Sequence, residues 1–205
     1  MAEAPPLDFV ARFPALGFEM RSGGIIKSWA LESNFLQAAD AWSIVAVDER
    51  GRGQLGMLVG QLVGIALDGK PQLVGRVDSV EHGDDLSVTI RGRDYIANML
   101  ECSVDPALKL GDGMTLRDVV TMAAGPVGIR QVMSGDALAV RNVISGKSIP
   151  VYSPGKDFTA LELKDYKPNP GESIYAFLDR ILARHRVTMQ PSPSDISMVQ
   201  LAQPV

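Results

Sequence analysis

The sequence predicts an α+β protein: an N-terminal antiparallel β-barrel or sandwich over residues 1–103, followed by a smaller α/β domain over residues 104–205. Three observations carry that reading. Short apolar runs separated by turn signals fill the chain to about residue 100, as in small all-β domains. Amphipathic helical patterns come after them, near 116–124 and 173–184. The chain then ends on helix, strand, turn and strand, the order of an α/β unit.

The elements follow in order. Ile25–Leu31 mixes Ile25, Ile26, Trp29 and Leu31 with Lys27 and Ser28, and Trp42–Val47 is a strongly apolar run ending at the turn signal Asp48-Glu49-Arg50-Gly51. Leu58–Leu67 comes next. Its neighbourhood spaces Gly56, Gly60 and Gly64 four apart, as on a close-packing helix face, but Gly is costly inside a soluble helix. Gly60-Gln61 is therefore read as the start of a strand. Asp68-Gly69 between two apolar runs is a hairpin signal, because Gly tolerates the positive φ of a tight turn. Gln72–Val80 is the return strand and His82-Gly83-Asp84-Asp85 the next turn. Leu86–Arg91 sets Leu86, Val88 and Ile90 against Ser87, Thr89 and Arg91, the period of a half-buried strand.

Helices begin at Asp94, which is placed to cap Tyr95–Leu100 with Ile96, Met99 and Leu100 facing inward. Thr115 followed by Asp118 resembles a capping box opening Leu116–Ala124, which ends at Gly125-Pro126. Residues 126–170 hold short apolar runs, Val140–Ile144 and Ile149–Tyr152, broken by Gly, Ser and Pro. The clearest helix is Ser173–Arg184, where Ile174, Phe177, Leu178, Ile181 and Leu182 make one apolar stripe opposite Asp179 and Arg180. Glu172 sits at the positive end of its dipole and Arg184-His185-Arg186 at the negative end. A strand Val187–Gln190, a turn Pro191–Asp195 and a strand Ile196–Leu201 close the chain.

Composition excludes several function classes. The 205 residues are 46% apolar and 21% charged, ordinary for a globular chain and far from a disordered one. Twenty Lys and Arg against twenty-four Asp and Glu give a net charge of −4, with basic residues scattered, which argues against a dedicated nucleic-acid binder. Met1-Ala2-Glu3-Ala4-Pro5-Pro6 lacks the basic start and apolar run of a signal peptide. The most apolar stretch, Leu55–Leu67, contains Gln61 and is shorter than the ~20 residues that span a bilayer. The expectation is a chain made and folded in the cytoplasm, with any later location set by assembly and with no membrane binding by itself.

Candidate chemistry is thin. Gly51-Arg52-Gly53-Gln54-Leu55-Gly56 satisfies G-x-G-x-x-G, but between two predicted strands it lacks the strand-then-helix context of a dinucleotide loop. Glu81, His82, Asp84 and Asp85 cluster potential ligands, yet a hairpin tip splays them into water. His185 has no acidic neighbour in sequence, and Glu101 beside Cys102 on a helix does not face it. Cys102, the single cysteine, reads as a small buried apolar residue. The expectation is no catalytic, cofactor-binding or metal site.

One resemblance runs through these segments. Leu73–Val80, then Leu86–Asp94, then Met99–Ser103 resemble the hub proteins of contractile-tail bacteriophage baseplates, the Mu-type tail protein P family, related to the hub domain of type VI secretion spike proteins. That family carries a strand of the form G-x-V-D, a hairpin, a strand ending G-R-(S/D) and a short helix ending D-L-x-x-C-S. The matching positions are Gly75, Val77, Asp78, Gly92, Arg93, Asp94, Leu100, Cys102 and Ser103. Gly60–Val63 and Asp68-Gly69 fit the preceding strand and turn. Pro170-Gly171-Glu172-Ser173, with Ile174–Ala183 and Val187–Met189, fits the family's second block.

What the resemblance implies is mechanical. Residues 1–103 would resemble a tail-tube subunit. The chain would form a homo-oligomer, a trimer, that joins the hexameric tail tube protein to the trimeric central spike protein. It would touch other baseplate proteins and line the channel through which tape measure and DNA pass. It would reside in the virion, in the tail baseplate, after assembly in the host bacterial cytoplasm. Sheet edges that are hazards in a monomer become interfaces when subunits complete one another's sheets. One departure is plain: family members are longer and contribute two barrels, whereas this chain has room for one barrel and an α/β domain. Two other readings stay open, a tail-associated cell-wall hydrolase using His185 or the Glu81–Asp85 carboxylates, and a generic binding module.

Overall fold

The computed structural model describes residues 7–33, 39–48, 54–83, 85–111, 113–134, 166–185, 187–195 and 198–202. They fall into two compact units, one within Met1–Ala97 with Pro193–Ile196 and one within Asn98–Ser192 and Ser197–Val205.

In the first unit, β1 (Phe9–Phe13) and β2 (Phe18–Arg21) form a hairpin across a 3-10 turn at Pro14–Leu16. β3 (Ile26–Glu32), β4 (Ala41–Val47), β5 (Leu62–Leu67), β6 (Lys70–His82) and β7 (Ser87–Asp94) complete one antiparallel seven-stranded sheet, ordered β2-β1-β5-β6-β7-β4-β3. In a flat sheet β1 and β3, five places apart in that order, would be separated by about 24 Å. Yet the Phe9 and Trp29 rings stack with centroids 4.8 Å apart. The sheet therefore curls into a half-barrel, and the inward residues of all seven strands share one core. Period-2 alternation supplies it: Phe9, Ala11 and Phe13 from β1, Trp42, Ile44 and Ala46 from β4, Val88 and Ile90 from β7. Leu55 and Leu58, on a 3-10 segment at Gln54–Leu58, add to the same core.

Several sequence expectations need correction here. The β1–β2 hairpin lies ahead of the first strand that the sequence reading assigns, although β1 is apolar at Phe9, Val10, Ala11 and Phe13. The strand expected over Leu58–Leu67 starts at Leu62, since Gln54–Leu58 takes the 3-10 form and Gly60 turns the chain. The Asp68-Gly69 hairpin forms, with both residues at positive φ (48° and 74°). Leu86 does not face the core: it sits at φ 60° and is 57% exposed, ahead of β7.

α1 (Ala97–Glu101) carries the chain from the first unit into the second. Ile96 and Met99 are buried as expected, but Leu100 is 37% exposed because so short a helix buries only one side. In the second unit, α2 (Leu116–Ala124) opens on a complete capping box: the Asp118 N–H donates to Thr115 Oγ1 at 3.2 Å and the Thr115 N–H to Asp118 Oδ2 at 2.9 Å. β8 (Gln131–Ser134), β9 (Thr188–Pro191) and β10 (Met198–Ala202) form a three-stranded sheet ordered β8-β10-β9. β10 runs parallel to β8 and antiparallel to β9. α3 (Ile174–Arg184) buries the predicted stripe Ile174, Phe177, Leu178, Ile181 and Leu182. α2 packs on α3 and β8, and α3 on β9. The runs Val140–Ile144 and Ile149–Tyr152 lie outside the described residues.

Candidate functional site

Several residues singled out as candidate chemistry are tied into local structure, but the buried Nε2 of His185 has no hydrogen-bond partner among the described residues. Gln54–Leu58 is a 3-10 segment, so no capped helix follows the glycine motif, whose Gly51, Arg52 and Gly53 lie outside the described residues. Glu81 accepts from Arg91 Nη1 at 2.6 Å. Asp85 takes Lys27 Nζ at 3.3 Å and the Ser87 N–H at 3.1 Å. Hydrogen bonds from Ser87 and Lys27 hold its carboxyl down at about 2. Asp84 is outside the described residues, and among those described no three His, Cys, Asp or Glu side chains converge on a metal-sized site. The His185 backbone ends α3, and Arg184 stacks over the Tyr166 ring, 5.0 Å from its centroid.

The residues that carry the resemblance have a clear structural use. Gly75 and Gly92 lie where β6 and β7 press together. A Cβ on Gly75 would stand 2.1 Å from the Arg93 carbonyl oxygen, and one on Gly92 would stand 2.0 Å from that of Arg76 and 2.4 Å from the Trp42 ring. No side chain fits at either place, so only glycine lets the two backbones approach this closely. On the outer face, Asp78 accepts from Arg93 Nε at 2.6 Å and from Arg76 Nη2 at 3.2 Å. Burial alone would raise the Asp78 carboxyl, but the hydrogen bonds and charges of Arg93 and Arg76 outweigh it and hold it below its ordinary value. Asp94 is almost wholly buried and accepts from the Asp40 N–H and the Ile96 N–H, each at 2.9 Å.

Cys102 corrects the sequence reading: it is exposed, not a buried apolar residue. Its backbone does the work instead. The Ile174 N–H donates to the Cys102 carbonyl and the Val104 N–H to the Glu172 carbonyl, both at 2.9 Å, around an antiparallel Ser103–Ser173 bridge. The two sequence blocks, Met99–Ser103 and Pro170–Ser173, thus meet through main chain. Side-chain identity at Cys102 and Ser103 has no packing reason within the described residues. Glu172 is held by Arg180 in a bidentate pair, Nε to Oε1 at 2.9 Å and Nη2 to Oε2 at 2.8 Å, which ties the segment before α3 to its second turn.

What remains is surface, and its main feature is the pair of sheet edges. β2 is four residues long, and Glu19 on it is clamped by Arg12 Nε at 2.7 Å and Arg21 Nε at 2.5 Å. β3 is seven residues long. Its charges lie towards the ends, at Lys27 and Glu32, with Ser28, Trp29, Ala30 and Leu31 between them. Among the described residues its far edge is joined to the sheet's other end only by the Ser22–Ile26 bridge. Beside it, Ala30, Glu32, Ser43, Asp78, Arg91 and Arg93 border a groove of about 290 Å³ with Gly92 and Trp42 also lining it. Sequence reading found the β3 strand but not its edge position, since strand order is fixed by pairing across distant segments.

No family model matches the chain, and no curated protein matches it by sequence. Solved structures do share its fold. A tail protein from Neisseria meningitidis superposes with a TM-score of 0.68 at 22% identity over 95% of this chain and 50% of that one. The 43 kDa tail protein of prophage MuSo2 from Shewanella oneidensis gives 0.62 at 16% identity over 95% and 54%. A prophage tail protein from Listeria monocytogenes gives 0.54 at 12% identity over 96% and 50%. The chain therefore spans about half the length of these proteins, and the fold it shares with them is that of tail proteins.

Proposed function

We propose that the chain is a structural component of a contractile phage tail, part of the baseplate hub that joins the hexameric tail tube to the trimeric central spike and surrounds the channel. The observation that carries this reading is a fold shared with tail proteins over 95% of the chain. The outer edge of β3, bridged among the described residues only at Ser22–Ile26, would supply the means: an extended strand of a neighbouring subunit would add to it through main-chain hydrogen bonds. The work is mechanical, done by backbone edges and apolar surface, with no reacting group. Domains over 1–103 and 104–205, a homotrimer, contacts with tail tube, spike and other baseplate proteins, passage of tape measure and DNA, and a virion location after assembly in the host cytoplasm all belong to the same proposal.

Co-expression with the tail tube and central spike proteins of the same phage tests it. Light scattering after size exclusion, with electron microscopy of the peak, should show ring-shaped oligomers or a complex with one of the two. A monomer at every concentration, binding neither, would contradict the reading.

A further inference from the structure

β3 is the last strand in the order of the curled sheet, with its main chain paired to β4 on one side. The Val47 N–H donates to the Ile25 carbonyl at 2.8 Å, so the main chain of Val47 faces β3. Main-chain groups alternate sides along an antiparallel strand, and those of Val45, Ser43 and Ala41 face β3 in the same way. The Asp40 carbonyl, which accepts from the Asp94 N–H on the β7 side, fixes the opposite parity. The partners of Val45, Ser43 and Ala41 are Ser28, Ala30 and Glu32, which therefore bond to β4. Trp29 and Leu31 turn their N–H and C=O groups to the outer edge, which among the described residues is bridged only at Ser22–Ile26. A strand laid there would pair with Trp29 and Leu31 and set its side chains alternately on the two faces.

The two faces specify what that strand carries. Inward, Trp29 and Leu31 are half-buried against the core, so the side chains beside them are apolar. Outward, Ala30, Ala41 and Ser43 are small and floor the groove of about 290 Å³, with Glu32 on one flank and Asp78, Arg91 and Arg93 on the other. Arg91 is held by Glu81 and Arg93 by Asp78, each at 2.6 Å. Glu32 is exposed and, among the described residues, has neither an ion pair nor a hydrogen bond. The unmatched charge at the groove is therefore negative. A Lys or Arg complements it, with its aliphatic stem on Ala30 and Ala41 and its charge at Glu32. The sheet edges of a second copy do not supply that cation: Lys27 of β3 is held by Asp85, and Arg21 of β2 by Glu19.

We propose that β3 docks an extended segment of a different polypeptide, apolar at alternate positions, with a Lys or Arg between them that lies in the groove and pairs with Glu32. This rests on the reading of β3 as the docking edge, and it makes Glu32 the side chain that selects the partner.

NMR titration of the full chain with two synthetic peptides tests it: acetyl-Ser-Val-Lys-Val-Ser-amide, and the same peptide with Glu in place of Lys. The amide resonances of Trp29 and Leu31 should shift with the Lys peptide, and the Glu peptide should bind about fivefold more weakly. Glu32→Gln should bring the two peptides to equal affinity. Equal affinity in the native protein, an unchanged preference in the variant, or shifts confined to other residues overturns the proposal. So do Trp29 and Leu31 resonances that stay still at millimolar peptide. Shifts at those two amides that follow protein concentration without peptide would make the occupant a second copy, and also overturn it. A Lys preference without binding to tube or spike protein would keep the strand chemistry and remove the tail reading. The reverse result would remove the chemistry alone.

Discussion

β2 and β3 terminate the same curled sheet but present different edges. β2 is short, and Glu19, flanked by Arg12 and Arg21, gives it a fixed cluster of charge. β3 is longer, with an uncharged centre from Ser28 to Leu31. Proteins blunt exposed edges with short strands and charges, because a bare edge templates pairing with another chain. Among the described residues one edge is protected in that way and the other much less so. Under the proposed function, docking would fall to β3.

The comparison breaks most completely if the sheet that carries both edges is broken. Gly92→Val puts a side chain into the Arg76 carbonyl and the Trp42 ring, and should cost more than about 3 kcal/mol in urea unfolding, with both edges lost. It sharpens if one edge is changed alone. Ser28→Lys with Ala30→Lys should abolish binding to tube or spike protein while moving folding stability by no more than about 0.5 kcal/mol. Glu19→Lys, on the protected edge, should leave that binding intact. Equal losses from the two changes would dissolve the distinction.

Smaller effects test the groundwork. Asp78→Asn releases Arg93 and Arg76 on the outer face, at a cost of no more than about 1 kcal/mol because solvent screens the pairs. Since the Asp78 carboxyl is held below its ordinary value, its stabilisation is present above that value and fades as pH falls beneath it. Comparing native and variant unfolding between pH 7 and pH 3 measures this, and the gap should close in acid. Thr115→Ala removes the α2 cap in the second unit and should cost about 1 kcal/mol. Cys102 should react with a thiol reagent in the folded monomer without denaturant, as an exposed side chain does.

Much of this fold was legible because its local signals agree with its tertiary pattern. Asp68-Gly69 makes its hairpin, Thr115 and Asp118 make their capping box, and the stripe from Ile174 to Leu182 is buried. Misreadings came where a residue's neighbours in space decide its place. Leu86 keeps the alternation of β7 but lies one step beyond the pairing, at a left-handed turn. β8 offers only four residues and owes its place to β10, more than sixty positions later in the chain (Ser134 to Met198 is 198 − 134). The first hairpin did leave a signal, Pro14 to Gly17 between two runs with aromatic ends. At the candidate site, strand composition was visible and edge status was not, since position in a sheet is a property of pairing. Cys102 looked buried by residue type, yet its segment contributes backbone and leaves the side chain in solvent.

The most direct test is a reconstruction of the assembled tail at a resolution that traces strands. The account predicts a strand from a neighbouring subunit hydrogen-bonded along Ile26–Glu32, with β2 left facing solvent. A particle in which β3 stays bare, or in which this chain is absent from the baseplate, would contradict it.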